Sequence, residues 1–501
     1  MIVSEICIII VSKRISCIKR RRKYTLIAGD VMYEKKIQEL NSLLAVKENF
    51  DIVAKPMEVQ GIHMTLFFVD GFAKDEILEK MIEFLLKADL KETVEKEPVQ
   101  TFCDRFISYL EVDVQPDMKQ MCTAVLSGSI LLMVEGYEAG IVIDARTYPT
   151  RSMQEPEEDK VLRGSRDGFV ETLIFNTSLL RRRIRDTRLR MEYHSVGSAS
   201  KTDVVLCYME HLVDSNLLHE IRSKLERIHV EALTMAQESL AEALVPHKWM
   251  NPFPKIRYTE RPDSASSHIL EGKIILLIDN SPSVLMLPTS FFDFIQEAQD
   301  YYLPPFTGNY LRIIRIVVIL LTMFISPVWY YLNCNPELCP DWFAFTLIQD
   351  NMNLPIILQL LMLEFGISAL KMASLNTPSS LNSSFSIIGA LILGDFAVNA
   401  GWLAPEIILY MAFVALANFT QPSVELGYAI KFMRILMLIC IALLPGAGLW
   451  IGLVLVLIII VKTKTITNTS YLYPLFPFHG HEFKMIFVRK KIASKYEERK
   501  N

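Results

Sequence analysis

Four polar residues lie in or beside long apolar runs and could therefore bear on ion movement: Glu364, Asp395, Asn399 and Glu406. A charge at bilayer depth costs several kcal/mol unless it meets water or a partner. Residues of this kind mark either an ion path or a buried ion pair, and for Glu364 and Asp395 both readings stand. A pair for Glu364 would come from Lys371, about two turns along the same helix, or from a cation on another helix. Asn399 follows Asp395 by one helical turn and would share its face. Glu406 opens another apolar run, where a carboxylate simply stabilises a helix N-terminus. His479 and His481 flank Gly480 beside Glu482, but a metal needs a further ligand and a fixed loop, so no metal site is expected. Cys334 and Cys339 share one short loop; they can bridge if it faces an oxidising side and otherwise remain two thiols. The chain has no nucleophile-base-orienter set, phosphate loop or zinc spacing, which argues against an enzyme and calls for no cofactor.

The apolar runs that must position these groups fill one half of the chain. Residues 306–461 contain 12 Asp, Glu, Lys and Arg, whereas the 501-residue chain is 22% charged. A soluble stretch of that size would be about a quarter charged, so this one reads as a membrane domain contacting lipid. Ile316 to Pro336 is an uncharged run of 21 residues, enough to cross a bilayer core that needs about 20. Leu354 to Leu370, Phe385 to Val398 and Ile407 to Phe419 are the next candidates. Lys431 and Arg434 are expected in a loop, and Ile435 to Val461, broken by Pro445-Gly446, reads as a re-entrant hairpin. Arg312 and Arg315 precede the first span, whereas the loop Asn333 to Asn353 has no Lys or Arg; the positive-inside rule then puts the N-terminal region in the cytoplasm. The tail from Lys462 has 9 Lys and Arg against 3 acids, which also points inside. A single crossing at Pro445 would put that tail outside, so the number of crossings stays open.

The N-terminal half reads as α/β. Met64 to Val69, Ile130 to Val134 and Ile141 to Ile143 are strand-length apolar runs, and Ile77, Leu78, Met81 and Leu85 have helical spacing. Val204 to Met209 with Leu217, Leu218, Ile221 and Leu225 repeats that block about 140 residues later. The expected fold is therefore an α/β cytoplasmic region of two similar subdomains, 38–148 and 191–305, followed by an α-helical transmembrane domain, 306–461, and a basic tail, 462–501. Between the subdomains, 149–190 reads as a linker and an amphipathic helix whose arginines, Arg181 to Arg190, suit a solvated face or a subunit-packing surface. Aromatics interleaved with them are missing, and the net charge is −4, so nucleic acid is not a partner. Residues 1–37 stand apart: either a basic membrane-surface anchor or sequence preceding a start at Met32.

Pro246 to Pro305 joins the halves. Its prolines bar a continuous helix. Asp263 can cap a helix over Ser264 to Leu270, Gly272 can stop it, and Lys273 to Ile278 and Val284 to Leu287 pair as a hairpin. Phe291, Phe292, Phe294, Tyr301 and Tyr302 suit a membrane-interface belt.

Within this connector, Asn251-Pro252-Phe253-Pro254, Arg257-Tyr258-Thr259-Glu260-Arg261-Pro262-Asp263, Leu270-Glu271-Gly272 and Phe291-Phe292-Asp293-Phe294 resemble the signature of the A subunits of spore germinant receptors. Pro246-His247-Lys248-Trp249 and Asp279-Asn280-Ser281-Pro282-Ser283 look closest to a sporulation-protein branch of that family. The resemblance implies a multi-pass protein of the spore inner membrane that takes part in germination as a homo-oligomer. It also implies a second multi-span membrane subunit as partner and ion conduction, with ion release rather than nutrient reading as the role; a non-conducting scaffold is the alternative. Glu364-Phe365-Gly366-Ile367-Ser368-Ala369-Leu370-Lys371 carries less charge than the family's usual pattern, so family roles do not transfer to it residue by residue. The topology has a direct check. A membrane-impermeant thiol reagent applied to intact vesicles should label Cys334 or Cys339 from outside and spare Cys103 and Cys207; labelling of Cys207 would overturn the orientation.

Overall fold

The computed structural model describes residues 32–487 apart from 74, 89, 91–93, 95–96, 108, 110, 147–160, 162, 246–250, 349–352, 377–393, 395–396 and 467–468. The chain divides into two compact units. The first comprises Ser165–Leu244, Tyr258–Leu287 and the stretch ending at Glu158; the second comprises Asp159–Gly164, Val245–Arg257 and everything from Pro288 onward.

The first unit contains two five-stranded sheets of identical plan. Strands β1 (Ile52–Val59), β2 (Ile62–Val69), β3 (Val112–Gln115), β4 (Ile130–Val134) and β5 (Gly140–Ile143) lie in the order β1-β2-β4-β5-β3. Strands β6 (Leu189–Val196), β7 (Thr202–Met209), β8 (Arg257–Thr259), β9 (Ile274–Ile278) and β10 (Val284–Leu287) lie in the order β6-β7-β9-β10-β8. The helices repeat as well. Helix α1 (residues 32–43) precedes β1; α2 (Asp75–Lys87) and α3 (Val99–Phe106) follow β2; α4 (Met118–Leu126) joins β3 to β4. Their counterparts are α5 (Leu173–Arg183), α6 (Ser215–Glu226), α7 (Ala236–Leu244) and α8 (Pro262–Leu270). The two similar subdomains expected from the sequence are thus present as two separate antiparallel sheets.

Local chemistry accounts for the match. Helices α4 and α8 end on Gly128 and Gly272, both at positive φ, where only glycine is unstrained. In each, the glycine N–H and the next N–H return to the helix in a paired closing motif, Gly128 to Val125 and Ser129 to Ala124, Gly272 to Ile269 and Lys273 to His268. Added β-carbons would meet Phe72 at 3.0 Å and the Leu212 carbonyl at 2.7 Å, which occupy equivalent turns. The repeats differ at their first hairpin: Gln60 and Gly61, both at positive φ, make a two-residue turn, whereas residues 197–201 form the longer loop. Helices cover both faces of the first sheet: Leu78, Met81, Leu85 and Phe102 on one, Leu40, Leu44, Met121 and Val125 on the other.

Between the sheets runs a fully buried ion pair. Arg181 of α5 donates Nε and Nη2 to the two carboxylate oxygens of Asp51, each at 2.9 Å, and Nη1 to the Leu189 carbonyl at 3.3 Å. Arg190 reaches Glu48 and Glu210, both at 2.6 Å. The arginine-rich segment is therefore not a uniformly solvated face. Its apolar length predicts a helix but cannot show that Arg181 points inward, because the partner lies far upstream in sequence.

The second unit contains the apolar helices α9 (Pro305–Cys334), α10 (Ile356–Asn376), α11 (Pro405–Asn418), α12 (Val424–Leu443) and α13 (Gly448–Lys462). Helices α9, α10 and α12 are long and apolar enough to cross a membrane; α11 and α13 are shorter. Lys431 and Arg434 lie inside α12, not in a loop as their charge suggested, because both are neutralised within the helical packing. The break at Pro445 joins α12 to α13. Added β-carbons on Gly448 and Gly452 would meet the Cys440 carbonyl and the Met437 backbone, so these glycines let the two helices pack closely in a hairpin. The third candidate span, Phe385 to Val398, lies almost wholly outside the described residues, as do Pro246-His247-Lys248-Trp249, the charged linker and residues 1–31.

Two further expectations change. Helix α8 starts at Pro262, with Arg261 as its cap residue; Asp263 instead pairs with Arg261, at 2.7 Å. Phe291, Phe292 and Phe294 pack with Phe253 and Tyr471 in a hydrophobic cluster rather than forming an interfacial belt, whereas Tyr301 and Tyr302 are exposed. Cys334 and Cys339 are free thiols. Burial pushes the Cys103 and Cys207 thiols up to about 11 and about 12, so their silence toward a reagent would report burial, and Cys334 and Cys339 carry the sidedness measurement.

The buried pair predicts a stability effect. Residues 32–300 expressed alone should fold as a soluble α/β unit, and Asp51→Asn should destabilise it by about 3–5 kcal/mol in urea unfolding, because Arg181 loses its counter-charge. Replacing both partners with leucine should recover much of that loss. An Asp51→Asn protein as stable as the wild type would show that the pair contributes nothing.

Candidate functional site

The apolar helices build one charged cluster around a residue singled out in the sequence. Glu364 of α10 is 4% exposed. Arg434 of α12 donates to its Oε1 through Nε at 2.6 Å and Nη2 at 2.5 Å, and Lys431, one turn earlier, lies 3.4 Å from Oε2. Lys431 also donates to the Glu364 carbonyl at 3.0 Å and to Ser368 Oγ. Arg434 Nη1 donates to the Thr322 carbonyl of α9 at 2.8 Å. The spacing explains the convergence: Lys431 and Arg434 share one face of α12, and Glu364, Ser368 and Lys371 share one face of α10. Of the two pairings open to Glu364, the one with another helix is realised. Lys371 instead lies 5.0 Å from the Tyr428 ring centre and 6.0 Å from that of Phe419. Glu364, Ser368, Lys371, Tyr428, Lys431 and Arg434 line a cavity of about 40 Å³.

The remaining candidates do not join this cluster. Asn399 is exposed at the end of the short helix Ala397–Asn399, and Asp395 lies outside the described residues. Glu406 is half-buried in the first turn of α11, the position where a carboxylate meets the helix dipole. That helix start is held by a residue the sequence did not flag: buried Gln359 accepts the Ala404 N–H at 2.8 Å and donates to the Leu354 carbonyl at 2.8 Å. Among the described residues no group of His, Cys, Asp and Glu could hold a metal, and the side chains of His481 and Glu482 lie outside them.

A second buried cluster stands at the start of α9. Asp300, fully buried, accepts Arg312 Nε at 3.1 Å and Arg315 Nη1 at 2.9 Å, and Arg315 also bonds Glu297. In the α/β unit, burial alone would raise the Glu192 carboxyl, but bonds from His194, Arg222 and Tyr208 outweigh it and hold it at about 2. It is therefore charged at any physiological pH and has no proton to give.

The connector residues do structural work. Asn251 donates to Thr463 Oγ1 at 2.8 Å and its own Oδ1 accepts the Phe253 N–H, while Pro252 and Pro254 flank a bend at buried Phe253. Arg257 bonds the Asp293 carbonyl and, at 2.9 Å, that of Gln296. On the α/β side Tyr258 bonds Glu238, Thr259 Oγ1 accepts the Arg261 N–H, and the Glu260 carbonyl accepts the Phe169 N–H. Arg261, fully buried, pairs with Asp263 and donates to the Ser165 carbonyl at 2.9 Å; Pro262 begins α8; Glu271 faces His268 at 3.4 Å and Gly272 closes the helix.

Comparison with known proteins gives this architecture a family. The family model "Bacillus/Clostridium GerA spore germination protein" matches residues 38–501. The chain belongs to the GerA family of spore germination proteins. It is 36% identical over 441 residues to stage V sporulation protein AF of Bacillus subtilis, covering 88% of this chain and 89% of that protein. Spore germination protein KA of the same organism is 24% identical over 447 residues, covering 88% and 81%. A crystal structure of the N-terminal domain of the A subunit of the Bacillus megaterium spore germinant receptor GerK3 is similar at 21% identity and a TM-score of 0.39, covering 51% of this chain and 94% of that one. In this GerA-family chain the motif residues are placed to fold the connector, and Glu364 is placed to bind helices together.

That placement yields a test. Glu364→Gln keeps size and polarity but leaves Lys431 and Arg434 buried without a counter-charge, so folded protein extracted from membranes should fall, by a penalty of about 3–5 kcal/mol. Adding Arg434→Met should restore part of the yield. Wild-type yield and Tm in the single variant would remove the structural role of the pair.

Proposed function

We propose that this protein acts in spore germination as an oligomeric component of the spore inner membrane, its α/β region in the cytoplasm, and supports ion release by conducting ions. The observation that carries the proposal is the family match across residues 38–501, joined to a helical half in which, among the described residues, three helices are long and apolar enough to cross a membrane. Orientation is supported by Arg312 and Arg315 at the start of α9, opposite a loop without Lys or Arg. A second multi-span subunit is the partner, and the protein is not an enzyme. The similarity to stage V sporulation protein AF supports a part in sporulation and germination, and ion release rather than the reading of a nutrient is the role proposed within it. Asn399, Glu406 and Asp395 are the groups for which an ion-path role is proposed; Glu364 would act as a fixed charge beside that path. A second reading, a non-conducting scaffold, is favoured by one observation: Glu364 is already neutralised by Lys431 and Arg434.

Reconstitution separates the two. The purified protein with its membrane partner should release entrapped ions from liposomes, and Glu406→Gln and Asp395→Asn should lower that flux or change its selectivity at unchanged expression. Partner binding without flux would establish the scaffold.

A further inference from the structure

The cavity beside Glu364 carries more positive charge than its own carboxylate balances. Its lining includes Lys371, Lys431 and Arg434 against Glu364 alone. Both oxygens of that carboxylate are already engaged, Oε1 by Arg434 and Oε2 by Lys431. Lys371 therefore meets ring faces, Tyr428 and Phe419, and among the described residues no carboxylate lies within ion-pairing distance of it. Ring faces attract an ammonium less than a carboxylate does, and helices in lipid offer little water to make up the difference. The site thus has an excess of cations in a medium where uncompensated charge is costly.

Neutral groups there can also donate to an anion. Asn418 and Tyr428 line the same cavity, and each carries a side-chain N–H or O–H. The polar surface continues past Asn418: both amide atoms of Gln421 are buried without a hydrogen-bond partner. Gln421 and Asn418 meet over Gly427, where an added β-carbon would lie 2.8 Å from Asn418 Oδ1 and 3.0 Å from Gln421 Oε1. The cavity, about 40 Å³, has room for one water-sized or slightly larger ligand.

We propose that this cavity is a binding site for a single small monovalent anion of the halide class, held by Lys371 with Tyr428 and Asn418, which balances the cation excess between α10, α11 and α12. The proposal is independent of whether the assembly conducts ions. An anion there would act as an electrostatic tie between helices, so the folded state should respond to halide at constant ionic strength.

The experiment uses the full chain in neutral detergent. Tm is measured as potassium gluconate is replaced by potassium chloride or bromide at fixed total salt. Chloride and bromide should each raise Tm along a saturating curve, as a ligand bound only by the folded state does. Lys371→Met leaves the Glu364–Arg434 contact in place and should weaken the apparent halide affinity at least tenfold. Should that variant not fold, anomalous scattering from bromide-soaked wild-type crystals decides: a peak in the cavity within contact distance of Lys371 Nζ supports the site and its absence overturns it. The proposal is also overturned by equal Tm in gluconate and chloride, or by a full halide shift in Lys371→Met. Stabilisation by phosphatidylglycerol but not by chloride would assign the cavity to a lipid phosphate and likewise overturn the halide.

Discussion

The helical half depends on where one carboxylate finds its counter-charge. Glu364 is shut away from water on α10, and its partners, Arg434 and Lys431, come from α12, while Arg434 also bonds a backbone carbonyl of α9. Three helices therefore share one electrostatic junction. In lipid, apolar side chains do little to choose one neighbour over another, because a tail is as good a partner as a leucine. Polar pairs and close backbone contacts have to make that choice. Here Glu364 fixes α10 against α12, and Gly448 and Gly452 fix α13 against α12.

The same constraint governs the α/β half with a different balance of forces. Its sheets bury continuous clusters of Ile, Leu, Val and Met, and this apolar burial is the main favourable term in its folding. The Asp51–Arg181 pair adds direction: a fork of guanidinium donors accepts one carboxylate in one orientation, so it sets which edge of the first subdomain meets α5. The Asn49 side chain accepting the Met191 N–H, and the Phe50 N–H bonding the Met191 carbonyl, continue that junction along the backbone. Apolar burial supplies the stability, and the paired polar groups make the arrangement specific.

What the sequence discloses follows from this division. Strands, helix-closing glycines and the internal repeat were legible because each is encoded locally, by periodicity or by a residue whose backbone freedom a turn requires. Glu271-Gly272 is the clearest case, a helix end readable from a few residues. Charge pairing was not legible. Lys431 and Arg434 look like loop residues when hydropathy alone is scored, and only the position of Glu364 on a neighbouring helix makes them tolerable inside one. Arg181 sits in a run of arginines whose composition predicts exposure, and no local pattern separates it from Arg182. The connector motif was recognisable as a signature, but its meaning was not: Arg257 and Arg261 are spent on backbone carbonyls and a near neighbour, which residue type alone does not reveal.

Buried charge in this protein therefore has to be read as networks rather than as single residues. Asp300 takes two arginines, Glu364 takes an arginine and a lysine, and Arg190 takes two glutamates. In each case the central group is more buried than at least one of its partners, so it is the group that could not be left alone. A carboxylate ringed by two cations gains from both, but the cations then repel each other across it. Such a junction holds only while the third charge is fixed in place. Around Asp300 the Glu297 carboxylate, paired with Arg315, supplies that balance. Around Glu364 the lining adds a further cation, Lys371, and no second carboxylate among the described residues, so this junction is the one whose charge is left to be completed from outside the described chain.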